Sequence, residues 1–141
     1  DASIRGTQAI VAEALGESRS VGWISELRLA AGRQAGEVLQ KIDTSALGPL
    51  IAIRDETFFQ GQPILLVVDP VSLTILLAQA CDDRQAFRNQ QTLQAYLDLF
   101  VLWHNMRIFQ RGKRSGRSPY QIAGIDPTAT DWLALLGFPA A

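Results

Sequence analysis

Asp55 is the residue best placed for chemistry. It closes an apolar run, Leu50-Ile51-Ala52-Ile53, and is followed by Glu56, a short turn and two further strand-like segments. A carboxylate fixed at a strand end is a hard oxygen ligand of the kind magnesium requires. Magnesium held this way serves phosphoryl transfer, in which carboxylates converge on ions roughly 4 Å apart that stabilise the attacking and leaving oxygens. The other acids fit that scheme poorly. Glu56 is one residue further along a strand and points to the opposite face. Asp69 precedes Pro70 and reads as an ordinary turn residue, while Asp82 and Asp83 suit the positive end of a helix. Asp55 is thus the catalytic and metal-ligand candidate, and one carboxylate does not make a two-metal site.

The remaining chemistry is basic. Arg19, Trp23, Ser25, Arg28 and Arg33 fall on or beside one expected helix, where they could contact phosphates and base edges in a major groove. Glu26 weakens that patch, and a solvated helix face with Trp23 packed inward is an equally good account. A second set, from Arg107 to Arg117 and including Arg111, Lys113 and Arg114, could clamp a DNA backbone. A charged loop that keeps the chain soluble accounts for it as well. His104 is the lone histidine and lies on an apolar helix face, as a satisfied core histidine does. Cys81 is the lone cysteine, which excludes an internal disulfide and a cysteine-based zinc site, and a reducing, cytoplasmic setting is expected.

Composition sets the frame. The chain has 141 residues, 48% hydrophobic and 19% charged, enough to bury a core. A net charge of −1 and a pI near 5.8 exclude a globally basic nucleic-acid binder, so any DNA contact must come from local patches. No apolar stretch approaches a membrane span, and no signal peptide is recognisable. The chain begins at Asp1 rather than Met, as expected of a processed, trimmed or fragmentary product.

Periodicity places these residues on elements. Thr7 caps a short helix through Leu15, ended by Gly16. Ser18 or Ser20 caps a second helix with Val21, Ile24, Leu27 and Ala31 facing inward. The pair is a helix-turn-helix candidate, and the helix tail and a linker follow to Leu47. Strands are expected over residues 50–55, 63–68 and 73–80, with turns at Gln60-Gly61-Gln62 and at residues 69–72. Their near-continuous apolar runs suggest cover on both faces. A long helix, apolar over a wide arc, runs from Asp82-Asp83 to about Gln110. Leu93, Leu97, Phe100, Val101, His104 and Ile108 form one face of it, and Leu99, Trp103 and Met106 another. Then come a flexible basic loop over residues 111–117, a helix opened by Ser118-Pro119 and ended by Gly124, and a last helix capped by Asp131.

Three stretches carry a resemblance to a known family. They are Arg5-Gly-Thr-Gln-Ala with Ser20-Val-Gly-Trp-Ile; Arg54-Asp-Glu-Thr-Phe-Phe with Pro63-Ile-Leu-Leu-Val-Val-Asp-Pro; and His104-Asn-Met-Arg-Ile-Phe with Gly116-Arg-Ser-Pro-Tyr-Gln-Ile-Ala-Gly-Ile and Asp131-Trp-Leu-Ala-Leu-Leu-Gly. In this order the chain resembles bacterial insertion-sequence transposases of the DDE type. The resemblance implies an α+β chain: a helix-turn-helix DNA-binding arm and linker over residues 1–47, then over 48–141 a three-stranded RNase H-like remnant with a long apolar helix. It implies DNA as partner, magnesium as cofactor, and metal-dependent cleavage and joining of DNA ends for the parent mobile element. Family members carry a second catalytic Asp and a Glu, with a long stretch between them. Here the third strand runs almost directly into a helix, which places an internal deletion at residues 84–89. Only the first acid transfers, to Asp55. The chain is expected to bind DNA without cutting it unless other residues complete the site. The alternative is a small helix-turn-helix regulator that uses its α/β part for self-association. A third reading is a fold remnant with no selected function.

Overall fold

The computed structural model describes residues 5, 8–9, 12–13, 16–49, 51–59, 62–81, 87–129 and 131–138. Most of the first expected helix, the turn at residues 60–61, the acids at 82–83 and most of the expected deletion point lie outside them. Gly16 has φ 65°, the left-handed geometry expected after a helix.

The Ser20 hydroxyl accepts the Trp23 amide at 3.1 Å and opens helix α1, Val21–Lys41. Its inward face agrees with the predicted one only at Ile24. Ile24, Gly32 and Ala35 are buried, while Val21 and Leu27 are exposed. The cause is a close crossing with helix α2, Phe87–Met106. A Cβ on Gly32 would lie 2.2 Å from the Ala95 carbonyl oxygen, and one on Gly36 would lie 2.6 Å from an Asp98 carboxylate oxygen. Small residues win the interface because the two backbones approach so closely. Beyond α1, Asp43 accepts the Ser45 amide at 2.9 Å and a 3₁₀ turn, Ser45–Leu47, turns the chain.

Three strands follow, β1 (Ile53–Phe59), β2 (Gln62–Val68) and β3 (Ile75–Ala80), forming an antiparallel sheet in the order β1-β2-β3. The first strand is displaced from the expected 50–55. Its partner decides its extent: pairing runs from Ile53 opposite Val68 to Phe59 opposite Gln62. Thr57, Phe58 and Phe59, β-branched or aromatic, therefore extend β1 past its expected end at Asp55. Asp55 lies within the strand, opposite Leu66, and not at its end.

Among the described residues the sheet is covered on one face, not two. Ile64, Ile75, Ala78 and Ala80 pack under Leu93, Leu97 and Val101 of α2, with Leu66 and Val68 at the margin. On the other face Phe58 and Leu77 are exposed. A second cluster joins Ala35 of α1 and Leu102 and Met106 of α2 to Tyr120 and Ile125. Tyr120 lies in helix α3, Pro119–Ala123, which has the expected Ser118 cap, here a full capping box with Gln121, and ends at Gly124 with φ 74°. Asp131 caps helix α4, Trp132–Leu135, as expected. The chain is thus α+β, with four helices and a three-stranded antiparallel sheet among the described residues. No helix there is long and apolar enough to cross a membrane.

Helix α2 is amphipathic and ends at Met106. Of its predicted apolar faces, Leu93, Leu97, Val101 and Met106 are buried, but Phe100 and Trp103 are exposed, as is Ile108 beyond its end. The basic loop is tied rather than free: Phe109 donates to Arg117 and accepts from Gly116 at 3.0 and 2.9 Å.

Candidate functional site

Asp55 points to the helix-covered side of the sheet, since its partner Leu66 packs there. It sits on the outer strand, which α2 does not cover, and is exposed. Glu56 projects to the other face beside Arg54, 3.7 Å away. Among the described residues no three His, Cys, Asp or Glu side chains could together hold a metal ion. The donor set around Asp55 therefore does not fit a two-metal centre, and no step through magnesium follows from it. Asp69, read as a turn residue, is one. Its carboxylate accepts the Val71 amide at 3.2 Å, the Ser72 amide at 2.9 Å and the Ser72 hydroxyl. Burial pushes its pKa up, but these donors and Arg114 outweigh it and leave the carboxyl below its ordinary value.

The basic candidates separate into two kinds. Arg19 and Arg33 are exposed, and Ser25 and Arg28 partly so, along α1 and just before it. The Arg19 guanidinium lies 5.1 Å from the Trp23 ring and bonds Glu17, while Arg28 lies 5.1 Å from the ring of Tyr96 on α2. Trp23 itself is exposed, not packed inward. Of the loop residues, Arg111, Lys113 and Arg117 are exposed. Arg114 instead donates to the Val71 and Pro70 carbonyls at 2.9 and 3.2 Å, fastening the loop to the β2–β3 turn.

A feature missed in the sequence joins the first kind. Tyr96, Phe100 and Trp103 recur at helical spacing along one stripe of α2, and Arg107 follows just past its end. Phe100 and Trp103 stack at 5.8 Å between ring centres, and Arg107 lies 4.7 Å from Trp103 and 5.9 Å from Phe109. The spacing is available in the sequence as a signal, but Phe100 and Trp103 read there as parts of apolar faces and Tyr96 as part of neither.

The inner side of α2 is polar at selected points. Asn105, fully buried, accepts the Ile75 amide and donates to the Ile75 carbonyl. Gln94 accepts the Ala80 amide and donates to the Ala78 carbonyl, both at 2.9 Å. Gln90 adds a bond to the Ala80 carbonyl at 3.4 Å. Three amide side chains thus hold the Ile75 and Ala80 backbone groups and the Ala78 carbonyl, on the edge of β3 away from β2. Beside them a cleft of about 660 Å³ opens between α1, α2 and β3, with Gln40, Thr44 and Asp98 on its walls. Burial raises the Asp98 pKa, and a bond from Gln94 at 2.8 Å offsets this in part.

His104 is half-buried and has a polar partner, short of the full core position expected. Its Nε2 lies 3.0 Å from the Leu73 carbonyl. Burial lowers its pKa; the Leu73 carbonyl opposes this and Arg107 adds to it. Leu73 has φ 62°, and its amide is held by the Asp69 carbonyl at 2.8 Å, so turn and histidine together fix a strained residue.

No family model matches this chain, and no curated protein or solved structure matches it either.

Proposed function

We propose that this chain is a DNA-binding protein of the insertion-sequence transposase type, holding DNA without cutting it. The single observation that carries DNA binding is the set of arginines resting on aromatic rings: Arg19 on Trp23, Arg28 on Tyr96 and Arg107 on Trp103. A guanidinium over an aromatic face keeps its charge for a phosphate while the ring offers a surface for stacking. In a chain of net charge −1 such local pairing gives a polyanion a place to settle.

The transposase part of the reading rests on the sequence resemblance. The antiparallel order of three strands, with a long helix after them, is compatible with an RNase H-like remnant. The helix-turn-helix arm would be formed by α1 and the segment before Ser20. Binding without cleavage rests on the resemblance transferring a single acid, Asp55, with magnesium entering only if acids from elsewhere complete the site.

Fluorescence anisotropy of a labelled random duplex across a salt series tests this. Wild-type binding should weaken steeply with salt, and Arg19→Glu/Arg28→Glu should abolish it. Absence of binding at low salt would remove the reading. Magnesium-dependent nicking that vanishes in Asp55→Asn would overturn the claim that the chain does not cut.

A further inference from the structure

The two edges of the sheet are treated differently. The β3 edge is occupied by the amides of Gln90, Gln94 and Asn105. Along the β1 edge no described element pairs. An open edge presents a row of free N–H and C=O groups, and folded proteins usually blunt it. Exposed apolar side chains flank its charged centre: Ile51 is 87%, Ile53 55% and Phe58 73% exposed.

The alternation of the ladder identifies which backbone groups are free. Ile75, Ala78 and Ala80 bond outward to α2, and the Cys81 amide bonds Pro63 of β2 at 2.9 Å. Leu77 and Gln79 therefore turn towards β2, onto Val67 and Leu65. That leaves Ile64, Leu66 and Val68 to bond β1 through Thr57, Asp55 and Ile53. The backbone groups of Arg54, Glu56 and Phe58 consequently point away from the sheet.

We infer that β1 pairs antiparallel with β1 of a second copy of this chain, with Arg54 opposite Glu56 of that copy and Asp55 on the two-fold axis. The register follows from two requirements. Outward-facing residues must meet outward-facing residues, which allows even-numbered positions to oppose one another. Charge then selects among the allowed registers. Arg54 opposite Glu56 brings unlike charges together twice by symmetry, whereas centring on Arg54 or on Glu56 opposes like charges. Arg54 and Glu56 already share a face, 3.7 Å apart, so the dimer closes a ring of four alternating charges. The two Asp55 side chains meet across the axis on the other face, an unfavourable contact that the pairing must outweigh. Ile53 and Thr57 flank it and bury each other.

The pairing does not depend on DNA and is measured without it, by sedimentation equilibrium of the full chain over a concentration series. Wild type should dimerise. Arg54→Glu and Glu56→Arg should each weaken the dimer roughly tenfold, and the double reversal should restore it, because opposite charges across strands contribute and like charges oppose. Asp55→Asn should tighten it. Glu56→Pro should abolish it while leaving the monomer folded by circular dichroism, because that N–H points outward and takes no part in the β1–β2 ladder. A monomeric wild type, or charge reversals that leave association unchanged, would overturn the proposal. So would a double reversal that fails to rescue.

Discussion

Asn105 treats Ile75 as a neighbouring strand would. Its Oδ1 accepts the Ile75 amide at 2.8 Å and its Nδ2 donates to the Ile75 carbonyl at 2.9 Å. One side chain on α2 thereby satisfies both backbone groups of a buried residue. Asn105→Ala strands them and should cost about 2–4 kcal/mol. Asn105→Asp keeps the acceptor and loses the donor, so it should be comparably damaging at neutral pH. Urea denaturation of the three proteins measures both losses.

Gly32 is the point of closest approach between α1 and α2. Alanine is normally the better helix residue by about 1 kcal/mol. Here its methyl would stand 2.2 Å from the Ala95 carbonyl oxygen, a backbone atom that cannot rotate away. Gly32→Ala should therefore destabilise by about 2–3 kcal/mol, as overpacking does. Gly22 has nothing nearer than a hydroxyl at 3.8 Å, so Gly22→Ala should be neutral or stabilising in the same assay.

Asp98 should give a pH signature of definite sign. Its folded pKa is raised, by burial ahead of the opposing Gln94 bond. The folded chain thus holds this proton more tightly than the unfolded chain does. Stability from this group is greatest below the unfolded pKa and falls as pH rises through the folded value. Asp98→Asn should raise the urea midpoint at pH 7 and leave it nearly unchanged at pH 3.

His104 works in the opposite sense on the other side of α2. Burial, with Arg107, lowers its folded pKa despite the Leu73 carbonyl. Its contribution is complete above the unfolded pKa, about 6.5, and declines as pH falls towards the folded value. His104→Gln should flatten the stability profile just below pH 6.5, as followed by thermal melts between pH 5 and 8.

Arg114 and Arg28 are both basic but should respond differently to removal. Arg114 holds the Val71 and Pro70 carbonyls, so Arg114→Ala should lower stability by about 1 kcal/mol and change DNA affinity little. Arg28→Ala should spare stability, weaken DNA binding and reduce its salt slope by about one. Paired melting and anisotropy measurements separate the two roles.

What the sequence showed was what short-range physics decides. Ser20, the Ser118-Pro119 pair, Gly124 and Asp131 act on residues a few positions away, and each does what its type suggests. The second and third strands were legible from their β-branched and aliphatic runs. Asp55 was misplaced because the extent of β1 is set by its register against Gln62–Val68, a property of the pair. Of the inner face of α1 only Ile24 was legible, for a related reason: Gly32 is useful only where Ala95 lies opposite. The amide bonds of Asn105 reach 30 residues back along the chain, beyond any local signal.

The amides of Gln90, Gln94 and Asn105 also set a limit on growth. A sheet with two free margins can add copies without end and form a filament. Among the described residues this one has one unoccupied margin, because amides of α2 hold much of the other from within the same chain. Once two copies share their first strands, both outer margins are third strands whose Ile75 and Ala80 backbone groups are already held, which disfavours growth beyond a pair.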